Sequence, residues 1–329
     1  QDTSVINRPT GHGFPTNRDN IHTHGAIMAD VALYSIIISL TRVCLTIAHP
    51  LTTMFSMHNN LFDIQGKVAV LTGAGGILIR DMAKVLAARG VKVALVNRTG
   101  AKVEALAREI EAAGGIALPI EANVLNKDDL LRASELVARN FGGVDILING
   151  AGGNQPEATT SDTRSFFDLS PEAMKQVFDL NLIGTILPSQ VFGKSMTERK
   201  SGVIVNISSA SAIRPLTRVA TYGAAKAALD NFTKWLAVHM AQNYAPAIRV
   251  NAICPGFIET EQNRFLLRDK DTGQLSKRGG DILAHTPAGR FGTADDLLGT
   301  LVWMVSPAAA FITGTVVVVD GGFSAFSGV

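Results

Sequence analysis

The chain of 329 residues is 47% hydrophobic and 18% charged, which is enough apolar material for one large α/β domain with a thick core. Its 30 basic and 28 acidic residues leave a net charge of +2 with no basic run, which argues against nucleic acid as a partner. The cysteines, Cys44 and Cys254, allow at most one disulfide, as in a reducing cytoplasm, and the scattered histidines form no metal-ligand pattern.

The N-terminal segment differs from everything after it. Residues 1–25 are polar and aperiodic and are expected to be disordered. Residues 31–55, VALYSIIISLTRVCLTIAHPLTTMF, are apolar, but Arg42 sits mid-run, Pro50 interrupts it and no Lys/Arg cluster flanks it. A spanning helix needs about 20 apolar residues, and a signal sequence needs a basic start and a small-residue cleavage site. Residues 1–56 are therefore read as an extension outside the core. A non-native upstream translation, an added helix and an anchor all stay open, although a membrane is not the expected partner. Residues 57–329 are read as one catalytic domain in the cytoplasm.

From there, apolar runs alternate with Ala- and Leu-rich helical stretches. Strands are predicted at 67–72, 91–97, 116–120, 144–149, 202–208, 247–253 and 315–319. Runs such as GVIVNIS and TVVVVD are uniformly apolar, as expected of parallel strands buried on both faces. The expected fold is a Rossmann-like, doubly wound, seven-stranded parallel sheet with helices on both faces.

The first strand runs into Thr72-Gly73-Ala74-Gly75-Gly76 and then a helix ending near Arg89-Gly90. Glycines there let the backbone approach a pyrophosphate, which amides and the positive helix end hold. The second strand ends in Asn97-Arg98. A carboxylate at that place would bind a ribose 2′-hydroxyl, whereas a guanidinium pairs with a 2′-phosphate, so NADP is favoured over NAD; a merely solvated arginine stays open. ILINGAGGN (146–154) and NAICPGFIET (251–260) end further strands in glycine loops. Ligands of open parallel sheets bind beyond the carboxyl ends of the strands, so these loops converge on one crevice.

Tyr222 and Lys226 lie four apart in YGAAK, on one face of a helix, with Ser209 thirteen positions upstream of Tyr222. An ammonium beneath the phenol favours its ionised form. A phenol near its ordinary pKa of about 10 is a poor acid or base at neutral pH, so Lys226 is expected to lower it while Ser209 bonds the same substrate oxygen. Cys254, at a strand end, reads as a small buried hydrophobe.

With these residues assembled, 63–329 resemble the short-chain dehydrogenase/reductase family. The resemblance implies catalytic roles for Asn181, Ser209, Tyr222 and Lys226: Tyr222 as acid/base, Lys226 on the nicotinamide ribose, Ser209 on the substrate oxygen and Asn181 holding a relay water. It implies cofactor contacts from Thr72, Gly73, Gly75, Gly76, Ile77, Asn97, Arg98, Asn123, Val124, Asn149, Ala151, Gly152, Pro255, Gly256, Ile258 and Thr260, besides Tyr222 and Lys226. The family turn has the spacing G-x-x-x-G-x-G, and here Ile77 and Ile79 replace its second and third glycines, so Ile79 is expected to crowd the approach of helix to strand. Asn123 replaces an acidic residue, and Gly150 the second Asn of the family's Asn-Asn-Ala-Gly stretch.

Within the family, residues 165–194, 260–264, 282–292 and 316–329 resemble the D-mannonate oxidoreductase, or fructuronate reductase, branch, which interconverts a keto sugar acid and its hydroxy acid. Such a substrate needs a cation and polar side chains; Asn154, Arg214, Gln262 and Arg264 are the candidates, with Gln155 and Asn263 nearby, and Arg290 reads as a structural tie. A gluconate dehydrogenase, a 3-oxoacyl reductase and a non-catalytic dinucleotide-binding regulator remain alternatives. The resemblance also implies a homotetramer through helices containing 171–198 and 220–241, while the scattered histidines call for no metal.

Overall fold

The structure, a computed structural model, describes residues 61–261 and 263–328, together with Ser39. The expectations for residues 1–56, Cys44 and Gln262 lie outside the described residues.

Seven strands form one sheet: β1 (Val68–Thr72), β2 (Lys92–Asn97), β3 (Ile116–Glu121), β4 (Ile146–Asn149), β5 (Gly202–Ile207), β6 (Ile248–Pro255) and β7 (Val316–Val319). All neighbours are parallel, in the order β3-β2-β1-β4-β5-β6-β7. The helices between them are α1 (Ile77–Ala88), α2 (Gly100–Ala112), α3 (Lys127–Phe141), α4 (Pro171–Phe178), α5 (Gly184–Arg199), α6 (Ala220–Asn243), α7 (Arg264–Leu267), α8 (Lys277–Ala284) and α9 (Asp295–Val305).

Alternation along each strand sends residues to opposite faces. Ala69 and Leu71 of β1, with Val93, Leu95, Ile146 and Ile148, pack under α1, α2 and α9 through Met82, Leu86, Leu106 and Leu301. Val68 and Val70, with Ala94, Val96 and Leu147, pack on the other face against Leu130 of α3, Phe192 of α5 and Met240 of α6. Both faces of the central strands are covered, which is why their sequences are apolar throughout. β7 departs from that expectation. It is an edge strand paired on one side only, its residues are half-buried, and Val318 is 41% exposed.

The order reverses direction between β1 and β4, which lie side by side with Thr72 opposite Asn149. This is the switch point at which doubly wound sheets open a crevice. The predicted 171–198 helix is not continuous: a π-helical turn at Asp179–Ile183 separates α4 from α5, and Asn181 sits inside it. Such turns insert a residue into a helix and frequently mark functional positions. Among the described residues, no helix is long and apolar enough to cross a membrane, and no three His, Cys, Asp or Glu side chains gather as metal ligands.

Candidate active site

A cavity of about 820 Å³ opens beyond the carboxyl ends of the strands. Its floor is the turn after β1. Gly73 has φ +71, and a Cβ there would lie 2.8 Å from the Ala151 backbone, so only glycine fits between these two loops. Gly76 is the N-cap of α1 and brings no capping side chain, and the first turn has no acidic residue. The first amides and the positive end of α1 are thus left for an anion. Gly75, Gly76, Ile77 and Leu78 line the cavity at that point. A glycine cradle against an uncapped helix start fits the pyrophosphate of a dinucleotide.

Two departures from the family pattern prove to be one exchange. A Cβ at Gly150 would fall 2.1 Å from Ile79 Cδ1 and 2.3 Å from its Cγ1. Ile79 is 3% exposed and belongs to the core above β1. Its side chain therefore fills the space that the missing side chain at 150 vacates. The side chain expected to crowd the approach of helix to strand thus has its room at Gly150.

Thr72 and Asn149, expected to touch the cofactor, lie behind the lining instead, both buried at the strand ends. The Thr72 hydroxyl accepts from the amides of Gly150 (3.2 Å) and Ala151 (3.4 Å), clasping the β4 loop to β1. Asn149 donates to Ser189 Oγ (3.0 Å) and Asn206 Oδ1 (2.9 Å), and Asn206 in turn donates to Thr233 Oγ1 (2.8 Å). This buried chain ties β4 and β5 to α5 and α6. Both residues shape the loops without reaching the cavity.

At the β2 end, Asn97 donates to the Thr99 carbonyl at 3.1 Å and lies under Gly75. Arg98 is exposed on the cavity wall. Lys102, one helical turn further along, lines the same wall and was missed in the sequence. The available signal was a second cation four residues after Arg98, across the turn from β2 into α2. Ala122, Asn123 and Val124 close this end. The Asn123 amide donates to Asp129 Oδ2 at 3.0 Å, so a carboxylate from α3 holds this loop from behind.

Pro255, Gly256, Ile258 and Thr260 line the opposite wall. A Cβ at Gly256 would meet Asp320 Cβ at 2.5 Å, which explains the glycine. Cys254 is fully buried and burial pushes its thiol up to about 12, as suits a packed hydrophobe rather than a nucleophile.

Ser209, Tyr222 and Lys226 meet in the middle of the cavity. Ser209 leaves β5 in extended conformation, and its hydroxyl accepts from Ser211 N (3.3 Å) and Ser211 Oγ (3.0 Å), which fixes its rotamer. Lys226 is 4% exposed, donates to the Ile207 carbonyl at 2.8 Å and lies 5.7 Å from the centroid of the Tyr222 ring. Burial lowers its pKa to about 8, with Asp230 one turn along α6 opposing the shift. Tyr222 runs against expectation: burial raises the phenol pKa above its ordinary value, and the Ser209 hydroxyl is what pulls it back down. A proton-donating phenol at neutral pH is the result.

Asn181 is buried beneath the loop after β4 rather than on the cavity surface. Its Nδ2 donates to Gly153 O (2.7 Å) and Val177 O (2.8 Å), and its Oδ1 accepts from Gly153 N (3.2 Å). A Cβ at Gly152 would lie 2.8 Å from Asn181 Oδ1 and 3.3 Å from Lys226 Nζ. Glycine at 152 is thus what allows the π turn and the lysine to approach each other.

The substrate candidates divide. Asn154 lines the cavity and donates to Thr159 Oγ1 at 2.9 Å. Arg214 does not reach it: its guanidinium donates twice to the Ser324 carbonyl, at 2.9 and 2.6 Å. Arg264 is also outside, exposed on α7 and 3.5 Å from Glu259. Arg290 forms a two-point ion pair with Asp296 at 2.7 and 2.6 Å, the structural tie expected of it. Arg278 of α8, absent from the predicted set, lines the cavity. No motif surrounds it, so the sequence held no signal for it.

The sequence matches, over residues 78–324, the family model described as enoyl-(acyl carrier protein) reductase. The chain belongs to the short-chain dehydrogenase/reductase family. Relatives include an uncharacterized oxidoreductase, UxuB, of Bacillus subtilis, 47% identical over 285 residues that span 84% of this chain and 100% of the relative. A solved Haemophilus influenzae structure, provisionally named a D-mannonate oxidoreductase and holding NAD, is 42% identical with a TM-score of 0.77, covering 81% of this chain and 98% of the other. A gluconate 5-dehydrogenase of Burkholderia cenocepacia, in complex with NADP and tartrate, is 28% identical with a TM-score of 0.73, covering 81% and 98%. As a short-chain dehydrogenase/reductase, the protein is an NAD(P)-dependent oxidoreductase that acts on a CH–OH group of a small molecule.

Proposed function

We propose that this enzyme interconverts a keto sugar acid and its hydroxy acid, D-fructuronate and D-mannonate, with Tyr222 as the acid/base. The convergence of Ser209, Tyr222 and Lys226 in a cavity that begins at a glycine cradle carries the redox reading. The likeness to the Haemophilus protein supports the sugar acid. A bound nicotinamide supplies or accepts the hydride.

Tyr222, its phenol held in the protonated form by burial, donates a proton to the developing alkoxide during reduction. Ser209 orients the same oxygen. Lys226, anchored on Ile207 O, places its positive end beside the phenol and stabilises the phenolate that proton donation leaves. Asn181 positions the 152–153 loop that separates it from Lys226. Oxidation runs the steps in reverse and needs the phenolate at the outset. The raised phenol pKa therefore suppresses oxidation at neutral pH and makes that direction rise with pH.

Arg98 and Lys102 support NADP as the preferred cofactor, since paired cations suit a 2′-phosphate better than a ribose hydroxyl. Exposed Trp235 and Val238 on α6, with Tyr244 just past its end, support association with further copies of the chain into the homotetramer, which light scattering of the purified protein tests directly.

The decisive assay follows absorbance of NADPH and NADH as the full chain meets D-fructuronate, 5-ketogluconate or a 3-oxoacyl thioester. The proposal expects oxidation with fructuronate far exceeding the other two. Equal or greater turnover of the thioester would overturn it.

A further inference from the structure

The arginines around the substrate end of the cavity have partners, with one exception. Arg268 grips Glu259 at 2.8 and 3.0 Å, Arg290 grips Asp296, Arg218 reaches Asp162 at 3.2 Å and Arg214 is spent on a backbone carbonyl. Arg278 is half-buried and lines the cavity, yet among the described residues it forms no ion pair. Its one hydrogen bond runs from Nη1 to Thr217 Oγ1 at 3.1 Å.

That bond joins α8 to the 213–219 loop, which follows β5 and Ser209. The loop is shaped by Arg218, held at φ 76 in the left-handed region, whose carbonyl accepts from Thr160 N at 3.1 Å. Leu216 and Val219 of the same loop line the cavity beside Tyr222. Burial lowers the Arg278 pKa, and the like charge of Arg218 lowers it further. A half-buried guanidinium with a second cation beside it and no carboxylate attached has room for an anion.

The remaining cations of the cavity are committed elsewhere. Arg98 and Lys102 lie at the β2 end, and Lys226 is bound to Ile207 O. On the β5 side, Arg278 is the cavity-lining arginine or lysine left among the described residues.

We propose that Arg278 is the specificity-determining residue of this enzyme, its guanidinium pairing with the carboxylate of the substrate while Tyr222 addresses the carbonyl that is reduced. This rests on the sugar-acid reading and replaces Arg214 and Arg264 as the source of the cation. The planar fork of arginine suits a carboxylate through two parallel hydrogen bonds, which a lysine reproduces only in part.

The test compares the full chain with R278Q and R278K on D-fructuronate and on its uncharged methyl ester. A charge-assisted contact of the usual strength corresponds to a loss of about 10- to 100-fold. R278Q is expected to raise KM for fructuronate by about that factor, with the KM for NADPH unchanged and the penalty on the ester within about threefold. R278K is expected to recover part of the loss. An equal loss on acid and ester, or none on either, overturns the assignment. Should the wild type reduce neither compound, the sugar-acid reading fails, and calorimetry of D-gluconate with the NADP-loaded enzyme still decides the role of Arg278. Binding to wild type that is weakened at least tenfold in R278Q supports a carboxylate site, and equal or absent binding refutes it.

Discussion

Gly150 and Ile79 are coupled strongly enough to be measured by a double-mutant cycle. A methyl group at residue 150 would stand 2.1 Å from Ile79 Cδ1 and 3.1 Å from Thr72 O. The isoleucine cannot swing away freely, because it is β-branched, helical and 3% exposed in a packed core. Overpacking of this kind costs about 1–3 kcal/mol, so Gly150→Ala should destabilise by about that amount. Ile79→Ala removes the core side chain and should cost about 2–4 kcal/mol. In the double variant the new methyl occupies part of the space that the isoleucine leaves, so the combined loss should fall short of the sum by about 1–2 kcal/mol. Equilibrium urea unfolding of the four proteins gives the coupling energy. Additivity within about 0.5 kcal/mol would show that the two positions relax independently and refute the exchange.

Lys226→Met should abolish turnover without a large loss of stability at neutral pH. The folded-state pKa of about 8 lies below the ordinary 10.5, so between these values the unfolded chain binds more protons than the folded one and stability rises with pH. Below pH 8 the buried ammonium opposes folding by up to about 3 kcal/mol, which offsets the hydrogen bond to Ile207 O that methionine gives up. Urea midpoints at pH 7 and pH 10 should therefore converge in the variant relative to wild type, and an unchanged rise would remove Lys226 as its source. Arg98→Asp together with Lys102→Ala should shift the ratio of kcat/KM from NADPH toward NADH by about tenfold or more, as expected when charge-assisted contacts to a phosphate are lost; an unchanged ratio would place both cations outside the 2′ site. In the oxidative direction, kcat should climb with pH above neutrality as the phenol ionises, and a flat profile would contradict a raised Tyr222 pKa.

Much of the architecture was legible because its causes are local. Parallel strands buried on both faces leave apolar runs, and all seven strands, the edge strands β3 and β7 included, fall within two residues of their predicted ends. The valines of β7 look the same in sequence, but its edge position, set by the order of the whole sheet, leaves them half-buried. The Tyr222–Lys226 pair follows from helical spacing alone. What burial does to it does not: the shift at Tyr222 comes from everything packed around the phenol, so the expected lowering by Lys226 was reversed. Ile79 and Gly150 are 71 positions apart in the sequence numbering, and only the pairing of β1 with β4 makes them one feature. Arg214 is a reasonable guess from its nearness to Ser209, but the C-terminal segment claims it. Arg278 enters the cavity through tertiary placement of α8, which no local pattern announces.

The central claim is that Tyr222 transfers the proton in a nicotinamide-dependent carbonyl reduction. Single-turnover oxidation of NADPH by the full chain and by Tyr222→Phe, with D-fructuronate saturating, tests it most directly. Loss of a positioned general acid should slow the chemical step by about 10²- to 10⁴-fold, while the dissociation constant for NADPH, read by fluorescence, stays within about threefold. A Tyr222→Phe enzyme that retains wild-type single-turnover rates would contradict the account.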